Sequence, residues 1–192
     1  NSIREALGGS AAPDLIEVSI VLHLGTLAAV MAFYRHEIAG LLASDRRVIP
    51  LLILASIPAA AVGILIKKGL DGAGLENPLL AGLMFPVTAA GLIWASRRRP
   101  GEGVYQQLSI GQAMIIGCLQ AVAILPGISR SGATIVAGLG VGLRRDAAAA
   151  FAFLLAIPVI AGGGLLEAAE ALQAGGSSTP WGQLAIGFLV AM

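Results

Sequence analysis

The chain has 192 residues, of which 57% are hydrophobic and only 12% are charged. Soluble domains carry about 25% charged residues, so this composition excludes an ordinary soluble globular protein and predicts an integral membrane protein. The formal net charge is +1, and no basic stripe or aromatic ladder indicates a nucleic-acid partner.

In chain order, the predicted elements form an all-α, polytopic helix bundle in a single membrane domain over 1–192. Several apolar stretches approach the length of about 20 residues that a bilayer core requires. The predicted spans cover 15–34, 48–66, 78–96 and 147–172, and an incomplete one covers 181–192. The segments 35–47, 67–77 and 173–180 are predicted to be polar or glycine-rich connections.

Residues 109–143 are apolar at both ends and are interrupted by Pro126-Gly127. The arm before the interruption is barely long enough to cross a bilayer, and the arm after it is too short. Broken helices are tolerated at membrane depth only where protein or water surrounds the freed backbone. The sequence therefore predicts a re-entrant helical hairpin over 109–143.

Loop charges give an independent indication of the same layout. The loops after the first and third spans hold six arginines: Arg35, Arg46, Arg47, Arg97, Arg98 and Arg99. Cytoplasmic loops carry an excess of positive charge, so this side is predicted to be cytoplasmic, together with Arg144-Arg145. A similar placement of 22–30 and 154–162 is a weak indication of inverted repeats.

The main candidate site is the run Pro126-Gly127-Ile128-Ser129-Arg130-Ser131-Gly132-Ala133-Thr134. Its arginine lies midway through uncharged sequence, and a charge at membrane depth is a functional-site hypothesis by default. Arg130 would grip phosphate oxygens at two points, and Ser129, Ser131 and Thr134 would donate further hydrogen bonds. Gly127 and Gly132 would free backbone N–H groups for the anion, and a helix beginning near Gly132 would point its N-terminus at it.

Each candidate has an alternative interpretation. The run could be a short polar turn at the membrane surface, with Arg130 extending to the interface. His23 could be a substrate-binding proton donor or a polar group bonded to another helix. Gln120 could contact substrate, or it could pair, like Gln112, with the broken backbone of the hairpin.

No group of residues has metal-ligand spacing. A divalent cation, Mg²⁺ or Ca²⁺, would therefore have to be carried by phosphate groups or by residues outside this sequence.

Several residues together resemble a known family. Gln112-Ala113, Ile116-Gly117, Gln120 and the run from Pro126 to Thr134 are similar to the second signature of the undecaprenyl-diphosphate phosphatase (BacA-type, bacitracin-resistance) family. Further landmarks occur in the family's order: Leu22-His23-Leu24-Gly25-Thr26, Ser56-Ile57-Pro58-Ala59-Ala60 and the stretch from Phe151 to Pro158.

The resemblance implies a fold and an activity. It implies a helical bundle of inverted repeats with re-entrant helix pairs, often a homodimer, in the bacterial plasma membrane. Such an enzyme removes the terminal phosphate of undecaprenyl diphosphate, assisted by a divalent cation, and so recycles the lipid carrier for peptidoglycan and other envelope polymers. The family's motif arginine corresponds to Arg130, as phosphate binder and transition-state stabiliser, and the motif hydroxyls correspond to Ser129, Ser131 and Thr134.

The chain also departs from the family pattern. The first signature, a glutamate-rich helix followed by a Ser-Ser-x-Gly-His turn, does not occur in the sequence, and Ala152 replaces a usual serine. We therefore expect a fragment that holds a phosphate clamp without the nucleophile. The alternatives are a polyprenyl-phosphate transporter, or flippase, because broken helices in inverted repeats also suit transport, and a catalytically incomplete bundle.

Overall fold

The structure, a computed structural model, describes residues 15–69, 77–99, 101–173 and 181–192. Within these ranges the regular elements are helices, as the sequence predicts, and no strand is present. The helices are α1 (Leu15–Phe33), α2 (Arg35–Ala43), α3 (Val48–Gly69), α4 (Pro78–Arg97), α5 (Ile110–Val122), α6 (Arg130–Gly140), α7 (Arg145–Gln173) and α8 (Trp181–Ala191). A short 3₁₀ turn, Tyr105–Gln107, precedes α5.

Three helices in the described part of the chain are long and apolar enough to cross a membrane. The crossing segments are Val48–Ile66, Pro78–Arg97 and Arg145–Leu165. Large apolar side chains on these helices are exposed, for example Ile57, Leu83 and Phe85. Hydrocarbon is the surrounding that such a surface requires, so the protein is a multi-pass membrane protein.

Backbone contacts divide the chain into two compact units. One comprises residues 1–33 and 160–192, and in it α1 packs against α8. The other comprises residues 34–159 and contains α2 to α6, the start of α7 and the candidate site. The predicted single domain and the predicted inverted repeats stay predictions.

The core of the larger unit depends on a close approach of α5 to α3. A Cβ atom added at Gly117 would collide with the backbone of Ala55, so only glycine lets the two helices pack at this distance. Ile116 of α5 is fully buried beside them, and Phe151 and Leu154 of α7 complete the same core. Small residues at such contacts are typical of membrane helices, where close packing replaces hydrophobic burial as the driving force.

Helices α5 and α6 form the predicted hairpin, and its two outer ends lie together. The Gln112 side chain at the start of α5 donates to the carbonyl of Val141 at the end of α6, over 3.0 Å. Gly103 N–H donates to the Gly142 carbonyl at 3.1 Å, and Arg144 N–H donates to the Gly103 carbonyl at 2.9 Å. At about 1.5 Å per residue, neither arm can cross a bilayer core of about 30 Å, which is what a re-entrant hairpin requires.

The arginine-rich connections meet at this end of the larger unit. Arg145 donates to the carbonyl of Ser96 at 3.0 Å, and so joins the start of α7 to the end of α4. Arg47 donates to the carbonyl of Leu108 at 3.4 Å, which joins the α2–α3 connection to the start of the hairpin. The loops that charge counting assigns to one side therefore do share one end, and which membrane face this end occupies stays a prediction.

Several helix bounds differ from the sequence prediction, and α3, for example, ends at Gly69, three residues later than predicted. Residues 35–43 of the predicted polar connection form α2, because Leu41 is buried and Ile38 packs against the same core. Burial in the tertiary core stabilises this short helix, which the charged residues of the segment do not predict. Helix α7 runs from Arg145 to Gln173, two residues earlier and one later than predicted, and continues through Pro158.

We expect opposite effects on stability from two Gly→Ala changes in α5. Gly117→Ala should lower the free energy of unfolding by about 1–3 kcal/mol, because the methyl group meets the Ala55 backbone. Gly111 has no neighbour within 4 Å, so Gly111→Ala should be neutral or raise stability by up to about 1 kcal/mol through helix propensity. Thermal unfolding of the detergent-solubilised variants measures both, and equal destabilisation by the two changes would contradict the packing argument.

Candidate functional site

The candidate site is built on the turn between α5 and α6. Gly127 in this turn has φ of +87°, a conformation that other residues rarely adopt. An added Cβ there would also collide with the backbone of Ala81 on α4. Glycine is therefore required twice at this position, by the turn itself and by its contact with a membrane-spanning helix.

Ser129 caps the N-terminus of α6, so that Arg130 is the first residue of the helix. The Ser129 hydroxyl accepts a hydrogen bond from Gly132 N–H at 3.1 Å, and it lies 3.4 Å from the Ser131 hydroxyl. The prediction placed the helix start near Gly132, and the cap moves it two residues earlier. Two hydroxyls thus flank the arginine at the positive end of a helix dipole.

The guanidinium of Arg130 is exposed and has no hydrogen-bond or ion-pair partner among the residues that the structure describes. The arginines at the other end of the hairpin differ, since Arg46 and Arg145 both donate to backbone carbonyls. Those two side chains stabilise helix ends and connections. Arg130 stabilises no such contact, so its five N–H donors are available to a ligand.

Thr88 of α4 holds the turn in place, and the sequence analysis missed it. Its hydroxyl donates to the carbonyl of Gly127 at 3.1 Å and accepts from Ser129 N–H at 3.2 Å. One hydroxyl therefore pairs backbone groups on both sides of Ile128. The position of this threonine in the middle of an apolar span could have indicated its role, because polar residues inside membrane helices commonly bond other segments.

The position of Thr88 also gives the depth of the turn. It lies ten residues after Pro78 and nine before Arg97, the ends of α4. At 1.5 Å per residue this is about 14–15 Å from either end. The start of α6 is therefore level with the middle of a helix that is long enough to span a membrane. This favours a polar site at depth over a turn at the membrane surface.

Thr134 and Gly132 lie inside the first turns of α6. Thr134 is 1% exposed, and its hydroxyl is 3.0 Å from the Arg130 carbonyl and 3.1 Å from that of Ser131, which both accept from it. Gly132 is buried against Ser129 and Thr88. Thr134 in this arrangement supports the backbone that carries Arg130, and its predicted direct bond to phosphate stays a prediction.

The two glutamines of α5 behave differently. Gln112 completes a capping box with Ser109 and also bonds Val141, so it pairs with backbone as the alternative interpretation suggests. Gln120 is 2% exposed, and neither its amide nitrogen nor its amide oxygen has a partner among the described residues. A buried amide without hydrogen bonds costs free energy, so the side chain of Gln120, in the last turn of α5, is unexplained.

Two further predictions concern His23 and a divalent cation. His23 lies on α1, in the other compact unit, and its substrate-binding role stays a prediction. In the described ranges, no group of three or more His, Cys, Asp or Glu side chains could hold a metal ion. The described side chains therefore do not fit a resident metal site.

An apolar groove of about 190 Å³ runs beside the turn, between α4 and the hairpin. It is continuous with the polar site, because Thr88 and Gly132 belong to both. The other lining residues are Val87, Gly91, Leu119, Val122, Ile128, Ala133 and Val136. An anion site beside a hydrocarbon groove suits an amphiphile with a charged head and an apolar tail.

The sequence pattern of the family described as Bacitracin resistance protein BacA matches residues 3–192. The chain belongs to the BacA family. An undecaprenyl-diphosphatase of Rhodopirellula baltica is 45% identical over 179 residues, which cover 93% of this chain and 69% of the relative. BacA-type relatives with the same name from Pelotomaculum thermopropionicum and Moorella thermoacetica are 38% and 40% identical.

The alignments with these two relatives cover 77% and 79% of this chain. The chain spans 59% and 60% of their lengths, against 69% for the Rhodopirellula relative. The resemblance to the BacA family that the motif around Arg130 carries is therefore confirmed over nearly the whole sequence. The roles of the individual residues stay predictions.

Gln120 and Gln112 provide a matched test of the buried amide. Gln120→Leu should raise the free energy of unfolding by about 1–3 kcal/mol, because it removes an unpaired buried polar group. Gln112→Leu should lower it, because that side chain closes the hairpin and caps α5. Thermal unfolding in detergent distinguishes the two, and destabilisation by both changes would show that Gln120 has a partner in the folded protein.

Proposed function

We propose that the protein hydrolyses undecaprenyl diphosphate to undecaprenyl phosphate and inorganic phosphate. The observation that carries the proposal is the guanidinium of Arg130, which has no partner in the described part of the chain and lies at a serine-capped helix N-terminus level with the middle of α4. The relatives named undecaprenyl-diphosphatase support the substrate. The product is the lipid carrier that cell-envelope synthesis uses again.

The start of α6 offers several donors to the diphosphate. The first N–H groups of a helix have no partner within it. Those of Gly132 and Ala133 are bonded to the Ser129 hydroxyl and carbonyl, which leaves the N–H groups of Arg130 and Ser131. The Arg130 fork binds two phosphate oxygens, the Ser131 hydroxyl donates to a third, and the helix dipole favours the anion.

The reaction transfers the terminal phosphoryl group to water. The oxygen of a nucleophile bonds the terminal phosphorus and loses its proton, the bond between that phosphorus and the bridging oxygen breaks, and the lipid monophosphate leaves. Water then takes the phosphoryl group from the nucleophile and releases inorganic phosphate. Negative charge on the transferred group and the leaving oxygen is stabilised by Arg130 and the α6 N–H groups. We assign these residues the binding and charge-stabilising part of the step, and the family's first signature is proposed to supply the nucleophile.

The remaining site assignments follow the family resemblance. Catalytic roles are proposed for Arg130, Ser129, Ser131 and Thr134, and substrate contacts for Gly127, Gly132, His23 and Gln120. The apolar groove beside Thr88 receives the first units of the prenyl chain. A divalent cation, Mg²⁺ or Ca²⁺, is proposed to arrive with the diphosphate, and no step above depends on it.

The proposed location is the bacterial plasma membrane, with the site open to the outer side and the arginine-rich end in the cytoplasm. The loop charges support this orientation. A homodimer is also proposed, on the family resemblance, and light scattering of the detergent-solubilised protein tests it.

A transporter of polyprenyl phosphate is the second candidate, because the hairpin of two broken helices is an architecture that transporters also use. Phosphate release in detergent supports the hydrolase. Movement of the lipid across sealed liposomes without phosphate release supports the transporter.

Arg130→Lys in the full-length protein tests the clamp. Lysine keeps the charge but loses the planar fork, so we expect kcat for phosphate release to fall by about 100-fold or more. Arg46→Lys is the matched control, because Arg46, in the connection between α2 and α3, donates to the carbonyl of Leu42 at the end of α2 and should keep full activity. Near-normal hydrolysis by the Arg130 variant would contradict two-point binding of the phosphate by the guanidinium.

Two helix-capping serines separate stability from function. Ser109→Ala and Ser129→Ala each remove an N-cap and should each lower stability by about 1 kcal/mol. Only Ser129→Ala should reduce phosphate release, because only that cap carries Arg130. Equal activity of the two variants would mean that Ser129 is a structural cap alone.

A further inference from the structure

We infer that Thr88 is a positioning residue for the reaction, since it fixes the backbone from which Arg130 projects. The inference rests on the proposed function. Thr88 does not touch the guanidinium; it acts through the turn. Its hydroxyl bonds the carbonyl of Gly127 and the N–H of Ser129, the residue immediately before Arg130.

The Thr88 hydroxyl differs in its partner from three other hydroxyls in the helices of this protein. Serine and threonine inside helices commonly bond a carbonyl one turn earlier in their own helix. Thr26 bonds Leu22, Ser56 bonds Leu52 and Ser96 bonds Ile93 in this way, at 2.8–2.9 Å. Thr88 instead donates to Gly127, 39 residues further along the chain.

The turn depends on this hydroxyl because the two backbone groups lie outside the ladders of α5 and α6. At the depth of the middle of α4, a free N–H or carbonyl costs free energy unless protein or water pairs with it. Among the described residues that line this groove, Thr88 is the one with a polar side chain. The Thr88 methyl group also lies beside the start of α6, where it would be 3.6 Å from a Cβ atom added at Gly132.

The consequence for the reaction follows from geometry. Ser129 N–H and the Arg130 backbone are adjacent, so a rotation of the turn moves the guanidinium relative to the diphosphate. A misplacement of about 1 Å can cost about 100-fold in rate while leaving ground-state binding largely intact. Loss of the Thr88 hydroxyl should therefore reduce kcat much more than it raises KM.

The test compares Thr88→Val, Thr88→Ser and Ser96→Ala in the full-length protein. Valine keeps the shape of threonine without its hydroxyl, serine keeps the hydroxyl, and Ser96 is a hydroxyl of the same helix that bonds only its own helix. Phosphate release from undecaprenyl diphosphate in detergent micelles gives kcat and KM. Thermal unfolding in the same detergent shows whether each variant is folded.

For Thr88→Val we expect kcat to fall by about 10- to 100-fold with KM changed less than about threefold. Thr88→Ser and Ser96→Ala should stay within about threefold of the unmodified protein. Full activity of Thr88→Val, or equal loss in Thr88→Ser, would overturn the inference. Should Thr88→Val fail to fold, Thr88→Ala replaces it under the same criteria.

The unmodified protein separates this inference from the proposed function. Its failure to release phosphate would overturn both. Hydrolysis by the unmodified protein together with an unaffected Thr88→Val variant would overturn the positioning role of Thr88 and leave the proposed function standing.

Discussion

The hydrogen bonds between the 126–129 turn and the middle of α4 are the constraint on which the site depends. A turn at this depth has few partners for its backbone, so a single hydroxyl on a neighbouring helix decides where the next helix begins. Gly127 allows the approach, Thr88 fixes it and Ser129 starts α6 from it. Arg130 then stands at the positive end of a capped helix, with its fork available.

Much of this arrangement could be predicted from sequence, because a membrane restricts the length of a spanning helix and the positions of charged residues. Apolar length indicated the three described helices that are long enough to span a membrane, and the Pro126-Gly127 interruption lies in the turn between α5 and α6. The full set of predicted spans stays a prediction. A charge in the middle of uncharged sequence indicated Arg130, since such a residue is costly without a function. Loop charge indicated that both hairpin ends lie at the arginine-rich end, and the bonds between Gln112 and Val141 agree.

The parts that could not be predicted depend on contacts between distant segments. Thr88 has the same local surroundings as many threonines in apolar helices, and only the fold shows that its partners are 39 and 41 residues away. Helix α2 begins with the polar residues Arg35-His36-Glu37, and burial of Leu41 in the tertiary core stabilises it as a helix. The helix start at Arg130 required knowledge of the cap that Ser129 forms.

The bonds at the base of the hairpin limit how it can move. Gln112, Gly103 and Arg144 tie its two outer ends together at the arginine-rich end. The tip that carries the arginine is bonded to Thr88 of α4, so the hairpin is held at both of its ends. Carrying the tip to the opposite leaflet would therefore require the bonds at both ends to break.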